Sequence, residues 1–251
     1  MSEPATSPAR TLVALHGNFA SAAWWHALLA QPPAGWQVLA PDLPGFAGTA
    51  TEEAPSIAGY AAWLRGWLKA RGVHRPVLLG HSLGGAVALE YAAHHGPVAG
   101  LVLAASAPLG GLTTPEAHYP VLEMMRGNPA LLDMSLGALF PSGRPANFAQ
   151  LVEDGGRMAP AHYSGNARAL ASWQVEPAAL AGVPALVLGG ALDTLVTPDL
   201  VQAQAAALGT AATLLDGLGH GFPQEDPEGF RVLLQGFLDS LPLSDSGPNE
   251  R

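Results

Sequence analysis

Short apolar runs alternate with longer segments of helical period along most of this chain. Thr11–Leu15, Val38–Ala40, Val77–Leu79, Leu101–Ala105, Pro184–Gly189 and Ala212–Leu215 are brief, apolar and bounded by turn residues, which predicts buried strands. Between them lie segments with one apolar face. Ala22–Ala30 carries Trp24, Trp25 and Leu28, Ile57–Arg71 carries Tyr60, Leu64, Trp67 and Leu68, and Pro227–Leu241 carries Phe230, Leu233, Leu234 and Phe237. Leu83–His95 reads as a further helix ended by Gly96-Pro97. Ser21 and Ser56 stand where helix N-caps are expected, and Thr197-Pro198-Asp199 opens another helix as N-cap and first turn. Strands separated by helices predict an α/β fold: an open, mostly parallel sheet of about six strands with helices on both faces.

The alternation stops between residues 108 and 182. No convincing strand occurs there, Pro129 and Pro145 read as first-turn residues of helices, and Gly155-Gly156 breaks one. This predicts a helical cap inserted into a core made of residues 11–107 and 183–241. Residues 1–10 lack periodicity and read as a loose arm, and the polar stretch 242–251 as a flexible tail.

Composition narrows the partners. The 251 residues are 49% hydrophobic and only 12% charged, with a formal net charge of -9 and Lys69 as the single lysine, so no basic patch is available for nucleic acid. No apolar run reaches the roughly 18 residues that would cross a bilayer, and the first residues lack a signal-peptide pattern, which together predict a cytoplasmic protein without a membrane partner. With no cysteine, thiol nucleophiles, thiolate metal sites and disulfides are excluded. No histidine or carboxylate cluster has metal-ligand spacing and no G-x-G-x-x-G follows a strand, so no metal or cofactor is expected. The sequence carries no signal of oligomeric state.

The densest chemistry lies at Gly80-His81-Ser82-Leu83-Gly84, where an apolar strand ends and a helix begins at once. So sharp a turn predicts φ > 0 at Ser82, with Gly80 and Gly84 removing Cβ atoms that would clash. The hydroxyl then projects from the strand end, and the N–H of Leu83 at the helix start faces any oxyanion formed there. The motif resembles the nucleophile elbow of the α/β-hydrolase fold superfamily, in its serine-nucleophile, esterase-like branch. Asp193 and His220 also follow strand ends, in the order nucleophile, acid, histidine that this fold uses, and Gly217-Leu218-Gly219-His220 resembles the family's histidine loop. Asp199, at a helix start, and Asp216, close to His220, remain rival acids. His81, His94, His95, His26 and His74 lack a suitable position.

The resemblance implies further roles. His16-Gly17-Asn18 follows the first strand as the family's oxyanion loop does, which makes the Asn18 N–H the second donor and gives His16 a structural task. Pro41–Thr49 resembles the family's Asp-x-x-Gly-x-Gly-x-Ser loop, with Thr49 where serine is usual and Asp42 as a turn former. The same loop triplet resembles that of haloalkane dehalogenases, but those enzymes and epoxide hydrolases carry aspartate at the elbow, and Ser82 argues against both. The implied reaction is hydrolysis of a small carboxylic ester or related acyl substrate through an acyl-enzyme; a lactonase, a C–C bond hydrolase or a catalytically weak ligand-binding member of the fold are the alternatives. Phe19, His81, Met124 and Trp173 are candidate substrate contacts, the last two from a cap rich in methionine and aromatic residues.

Overall fold

The computed structural model describes residues 10–242. β1 (Arg10–Leu15), β2 (Trp36–Leu39), β3 (Val77–His81), β4 (Gly100–Ala104), β5 (Ala185–Gly190) and β6 (Ala212–Leu215) form one six-stranded, wholly parallel sheet in the order β2-β1-β3-β4-β5-β6. β3 and β4 are buried along their whole length, as expected of the continuous apolar runs that build the middle of a sheet covered on both faces.

The strand order fixes the layers. The chain steps from β1 to β2 in one direction, then returns past β1 to β3 and continues to β6 in the other. Right-handed crossovers therefore put α1 (His26–Ala30) on one face and α2 (Ile57–Lys69), α3 (Leu83–His94) and α8 (Pro198–Ala207) on the opposite face. The packing agrees, with α2 against α3 and α1 against α10 (Pro227–Ser240), and Trp25, just before α1, stacks on Phe230 of α10 at 6.1 Å. The reversal opens a crevice between the carboxyl ends of β1 and β3, the place where open α/β sheets bind ligands.

The segment between β4 and β5 is helical: α4 (Tyr119–Met124), α5 (Pro129–Gly137), α6 (Phe148–Gly156) and α7 (His162–Ser172). Pro129 is a first-turn residue behind its N-cap Asn128, whereas Pro145 lies before α6 and its carbonyl accepts the Phe148 N–H at 3.0 Å. Gly155 and Gly156 close α6 and do not interrupt it. Further differences from the sequence reading are small. Ala22–Trp25 is a 3₁₀ turn preceding α1, β2 begins at Trp36, and a short helix α9 (Phe222–Glu225) follows β6. Ser21 and Ser56 cap their helices through Oγ, while Thr197 occupies the N-cap position without a side-chain bond. The expected arm lies outside the described residues except for Arg10, which opens β1, and the expected tail does so except for Pro242, whose carbonyl accepts a bond from the Arg10 guanidinium. No helix among the described residues is long and apolar enough to cross a membrane.

A buried carboxylate fastens the helical segment to the turn before α1. Asp154 of α6 accepts the Ser21 hydroxyl at 2.6 Å and the Gln150 amide at 2.8 Å, and pairs with Arg157. Burial pushes the Asp154 carboxyl up, but the hydrogen bonds from Ser21, Arg157 and Gln150, with the Arg157 charge, outweigh it and hold the group below the ordinary carboxylate range. A carboxyl depressed in the folded state stabilises fully above its unfolded value of about 3.9, and that stabilisation disappears as pH falls through the native value. Asp154→Asn is therefore expected to lower the Tm at neutral pH and to flatten its decline on acidification; a Tm series from neutral to strongly acid pH checks this, and a decline as steep as wild type contradicts it.

Candidate active site

Ser82 sits at the apex between β3 and α3 with φ 54° and ψ -116°, in the left-handed region that costs a non-glycine residue strain. The surroundings hold it there. Its N–H donates to the Ala104 carbonyl at 3.2 Å, and its own carbonyl accepts from Gly85 and Ala107, each at 3.0 Å. The turn also needs bare backbone. A Cβ on Gly80 would lie 2.4 Å from the Gly84 carbonyl oxygen, and one on Gly84 would lie 2.4 Å from that of Leu15. Gly85 meets the same limit against Ser106, a requirement the motif alone does not reveal. Leu83 is the first residue of α3, so the helix itself makes no use of its N–H.

The loop after β1 lies beside this turn. A Cβ on Gly17 would come within 3.1 Å of the Ser82 Cβ. His16 is fully buried and supports the loop: its Nε2 accepts the Leu43 N–H at 3.0 Å, which leaves Nδ1 to donate to the Gly17 carbonyl at 2.9 Å. Burial lowers the His16 pKa, so the ring stays neutral. Asp42 accepts the Ala22 N–H at 2.6 Å and so joins the loop after β2 to the turn before α1. Next in the β1 loop, the Asn18 N–H has no acceptor among the described residues, and Phe19 is held at φ 55° with its ring edge-on to Tyr163 of α7.

Asp193 and His220 meet from the ends of β5 and β6. His220 Nδ1 donates to Asp193 Oδ2 at 2.7 Å, while Asp193 Oδ1 accepts the N–H groups of Leu195 at 2.8 Å and Val196 at 3.0 Å. The carboxylate is thus held at both oxygens, and Nε2 of His220 is left as the acceptor nitrogen of the neutral ring. Both side chains are buried. Gly190 permits the approach, since a Cβ there would stand 2.2 Å from the Gly219 carbonyl oxygen. Asp199 and Asp216, the rival acids, are exposed and bond to no histidine among the described residues. Ser82 is half-buried, and its hydroxyl makes no hydrogen bond among the described residues, His220 included.

His81 links the two halves of the arrangement. Next to Ser82 in the chain, it donates Nε2–H to the His220 carbonyl at 2.9 Å, its ring lies 4.7 Å from that of His220, and Trp24 stacks on it at 4.3 Å. Burial, reinforced by the neighbouring His220, lowers its pKa well below the ordinary histidine value and keeps it neutral. With its ring packed on both neighbours and its Nε2–H on the His220 carbonyl, His81 is held against His220 and Trp24. The two candidate contacts from the helical segment lie in different surroundings. Met124 ends α4 with 61% of its surface exposed, because the helical register turns Met125 into the core in its place. Trp173 donates its indole N–H to Glu90 at 2.8 Å and lines a cleft of about 530 Å³ whose walls do not include Ser82.

The helical segment reaches these loops at contacts that sequence reading missed. Asn166 of α7 donates to Asn18 Oδ1 at 2.8 Å. Glu225 accepts the Gly219 N–H at 2.7 Å through one oxygen and, through the other, the N–H and O–H of Ser142 at 2.8 and 2.6 Å. Among the described residues no group of three or more His, Asp or Glu side chains is placed to hold a metal ion.

Serine at a strained strand-helix turn, beside the topological reversal of a parallel sheet, with a histidine-carboxylate pair on neighbouring strand ends, is the architecture of an α/β hydrolase. A model of the alpha/beta hydrolase family matches residues 12–231, and the chain belongs to that family. The fold is similar to that of an esterase from Exiguobacterium antarcticum, with a TM-score of 0.81, 20% identity and 92% of each chain covered. It is equally similar to the enol-lactonase from Burkholderia xenovorans, with a TM-score of 0.81, 21% identity and 93% of each chain covered. An uncharacterized Mycobacterium tuberculosis protein is 24% identical over 259 residues, covering 91% of this chain and 75% of its own.

Gly84→Ala tests the closeness of the elbow. Its methyl group would meet main-chain carbonyls of Leu15 and His16, which have no rotamer to escape into. A loss of about 1–3 kcal/mol or more is expected in urea unfolding, and wild-type stability would mean that α3 and β1 are less tightly opposed.

Proposed function

We propose that this protein is a serine hydrolase that cleaves a small carboxylic ester, or a related acyl substrate, through an acyl-enzyme. The observation that carries the reading is the His220–Asp193 pair, whose 2.7 Å bond sets the imidazole tautomer that leaves Nε2 free as a base. In this reading Ser82 Oγ attacks the ester carbonyl while its proton passes to His220 Nε2. The charge that gathers on the carbonyl oxygen is met by the N–H groups of Leu83 and Asn18, neither of which needs reorientation at the moment of reaction. Asp193 stabilises the imidazolium without taking its proton. Collapse breaks the C–O bond to the alcohol, which leaves with the proton from His220, and the acyl group stays on Ser82. Water then gives a proton to His220 Nε2 and attacks the acyl carbon; the carboxylic acid departs as the proton returns to Ser82 Oγ.

The roles divide by physical cause. Phe19, beside Asn18 and against Tyr163, is the residue to which we assign contact with an apolar acyl group. The segment 108–182, whose helix α7 touches the loop of Asn18 and whose turn Leu139–Ser142 touches the loop of His220, acts as the cap over the site.

The test is hydrolysis of a panel of p-nitrophenyl esters and simple lactones, with fluorophosphonate labelling. Ser82→Ala should lose both hydrolysis and labelling while keeping its fold, because the change removes only the hydroxyl. Asp193→Asn should keep the fold and lower kcat by about 10⁴-fold, since an amide holds the wrong tautomer of His220; Asp199→Asn and Asp216→Asn should stay near wild type. Wild-type hydrolysis by Ser82→Ala would sink the nucleophile assignment, and a crippled Asp216→Asn beside a mild Asp193→Asn would move the acid.

A further inference from the structure

Three polar side chains form a line from the sheet-packing helix α2 through α7 to the loop after β1. Tyr60 O–H donates to Asn166 Oδ1 at 2.6 Å, and Asn166 Nδ2 donates to Asn18 Oδ1 at 2.8 Å. The direction of the line can be worked out from one main-chain donor. Asn18 Oδ1 also accepts the N–H of Phe19 at 3.1 Å, and a backbone N–H can only donate, so the atom that Asn18 turns towards Asn166 is its oxygen. Asn166 must then present its NH₂ to Asn18, which points its own oxygen at Tyr60 and makes the phenol the donor. Burial raises the Tyr60 pKa and keeps that proton in place. Asn166 is completely buried, and its remaining N–H faces Met158 Sδ at 3.7 Å, a weak acceptor. A fully desolvated amide with its partners fixed has one low-energy orientation.

The loop at the receiving end needs such a hold. Phe19 has a positive φ, and the bond from its N–H to Asn18 Oδ1 ties the strained residue to the side chain that Asn166 grips. The Asn18 N–H is left without a protein acceptor among the described residues.

We propose that Asn166 is a positioning residue of this site: supported by Tyr60, it fixes the Asn18 side chain and through it the direction of the Asn18 N–H, so that a helix of the 108–182 segment sets the oxyanion hole. This rests on the reading of Asn18 as an oxyanion donor in ester cleavage. A contact that only bound substrate would appear in KM. One that aims an oxyanion donor appears in kcat, because charge on the carbonyl oxygen develops only in the transition state.

The experiment measures kcat and KM, on the best p-nitrophenyl ester of the panel, for wild type, Asn18→Ala, Asn166→Ala, Tyr60→Phe and the double variant Asn18→Ala/Asn166→Ala, with a Tm for each. Asn18→Ala keeps the main-chain N–H but loses the side chain that Asn166 holds. Asn166→Ala is expected to lower kcat by about tenfold to a hundredfold, less than the ~10²–10³-fold that follows loss of a whole oxyanion donor, with KM changed by less than about threefold. In the Asn18→Ala background the same change should cost less than about twofold, since its only route to the reaction is already cut. Tyr60→Phe should lower kcat in the same direction by a smaller factor, and it carries the test if Asn166→Ala does not fold. Wild-type kcat in Asn166→Ala, or in Tyr60→Phe where that variant carries the test, would overturn the proposal, as would an equal loss in both backgrounds. Failure of the underlying ester-hydrolase reading shows separately, as hydrolysis that survives Ser82→Ala.

Discussion

The approach of α3 to β1 and β3, closer than side chains permit, is the constraint on which the rest of this molecule depends. At Gly80, Gly84 and Gly85 a single methyl group would overlap main chain or Ser106, and with those three positions bare the helix can start directly off the strand end. The same closeness forces Ser82 into a positive φ and lifts its side chain off the sheet. Strain of this sort persists only where surrounding bonds over-determine it. Here the Ser82 amide is engaged by Ala104, and its carbonyl by Gly85 and Ala107, so the turn is joined to β4 and its following loop as well as to α3.

Around that turn the histidines are sorted by what their nitrogens meet. His16 and His81 are enclosed, bond to main-chain groups and are kept neutral by burial, so both act as shaped hydrogen-bonding pieces. His220 alone of the three faces a carboxylate, and that carboxylate is itself tied down by two backbone N–H groups. One imidazole thus has a carboxylate at hydrogen-bond distance, and the two others bond only to main-chain groups. His81 fits the same sorting, since its ring gives its proton to the His220 carbonyl and has no nitrogen bonded to a charged partner.

What could be read from the sequence divides along the same line as the contacts. Strands and their ends are local features, so apolar runs stopped by glycine or polar residues were enough to bring Ser82, Asp193, His220 and Asn18 to one edge of the sheet. The glycine pattern told of a tight turn at Gly80 and Gly84 for the same reason. The helices between β4 and β5 were legible as helices but not in their orientation: period gives a face without naming the neighbour it meets. The exposure of Met124 is thus set by the register of a single turn, and the packing of Trp173 by a bond to Glu90, 83 positions away. Asn166, Asp154 and Glu225 passed unnoticed because an isolated polar residue in a helix looks like solvent-facing surface until its distant partner is known. Asn166 meets Asn18 across 148 positions and Asp154 meets Ser21 across 133. Pro145 had a sound local reason to begin a helix, yet α6 starts at Phe148, after a turn closed on the proline's own carbonyl.

The bridge made by Glu225 has a consequence for how such molecules can be recombined. Its two oxygens hold the Gly219 amide on one side and Ser142 on the other, while the Gly221 amide reaches the Leu139 carbonyl at 2.8 Å and Gly219 is so close to Pro141 that no larger residue fits. Leu139–Ser142 belongs by sequence to the helical segment but by contact to the loop of His220. A chimera that exchanged everything between β4 and β5 for the corresponding segment of another family member would thus discard the residues that brace its own histidine loop. The natural seam for grafting leaves those four residues behind, with the donor's helices joined on either side of them.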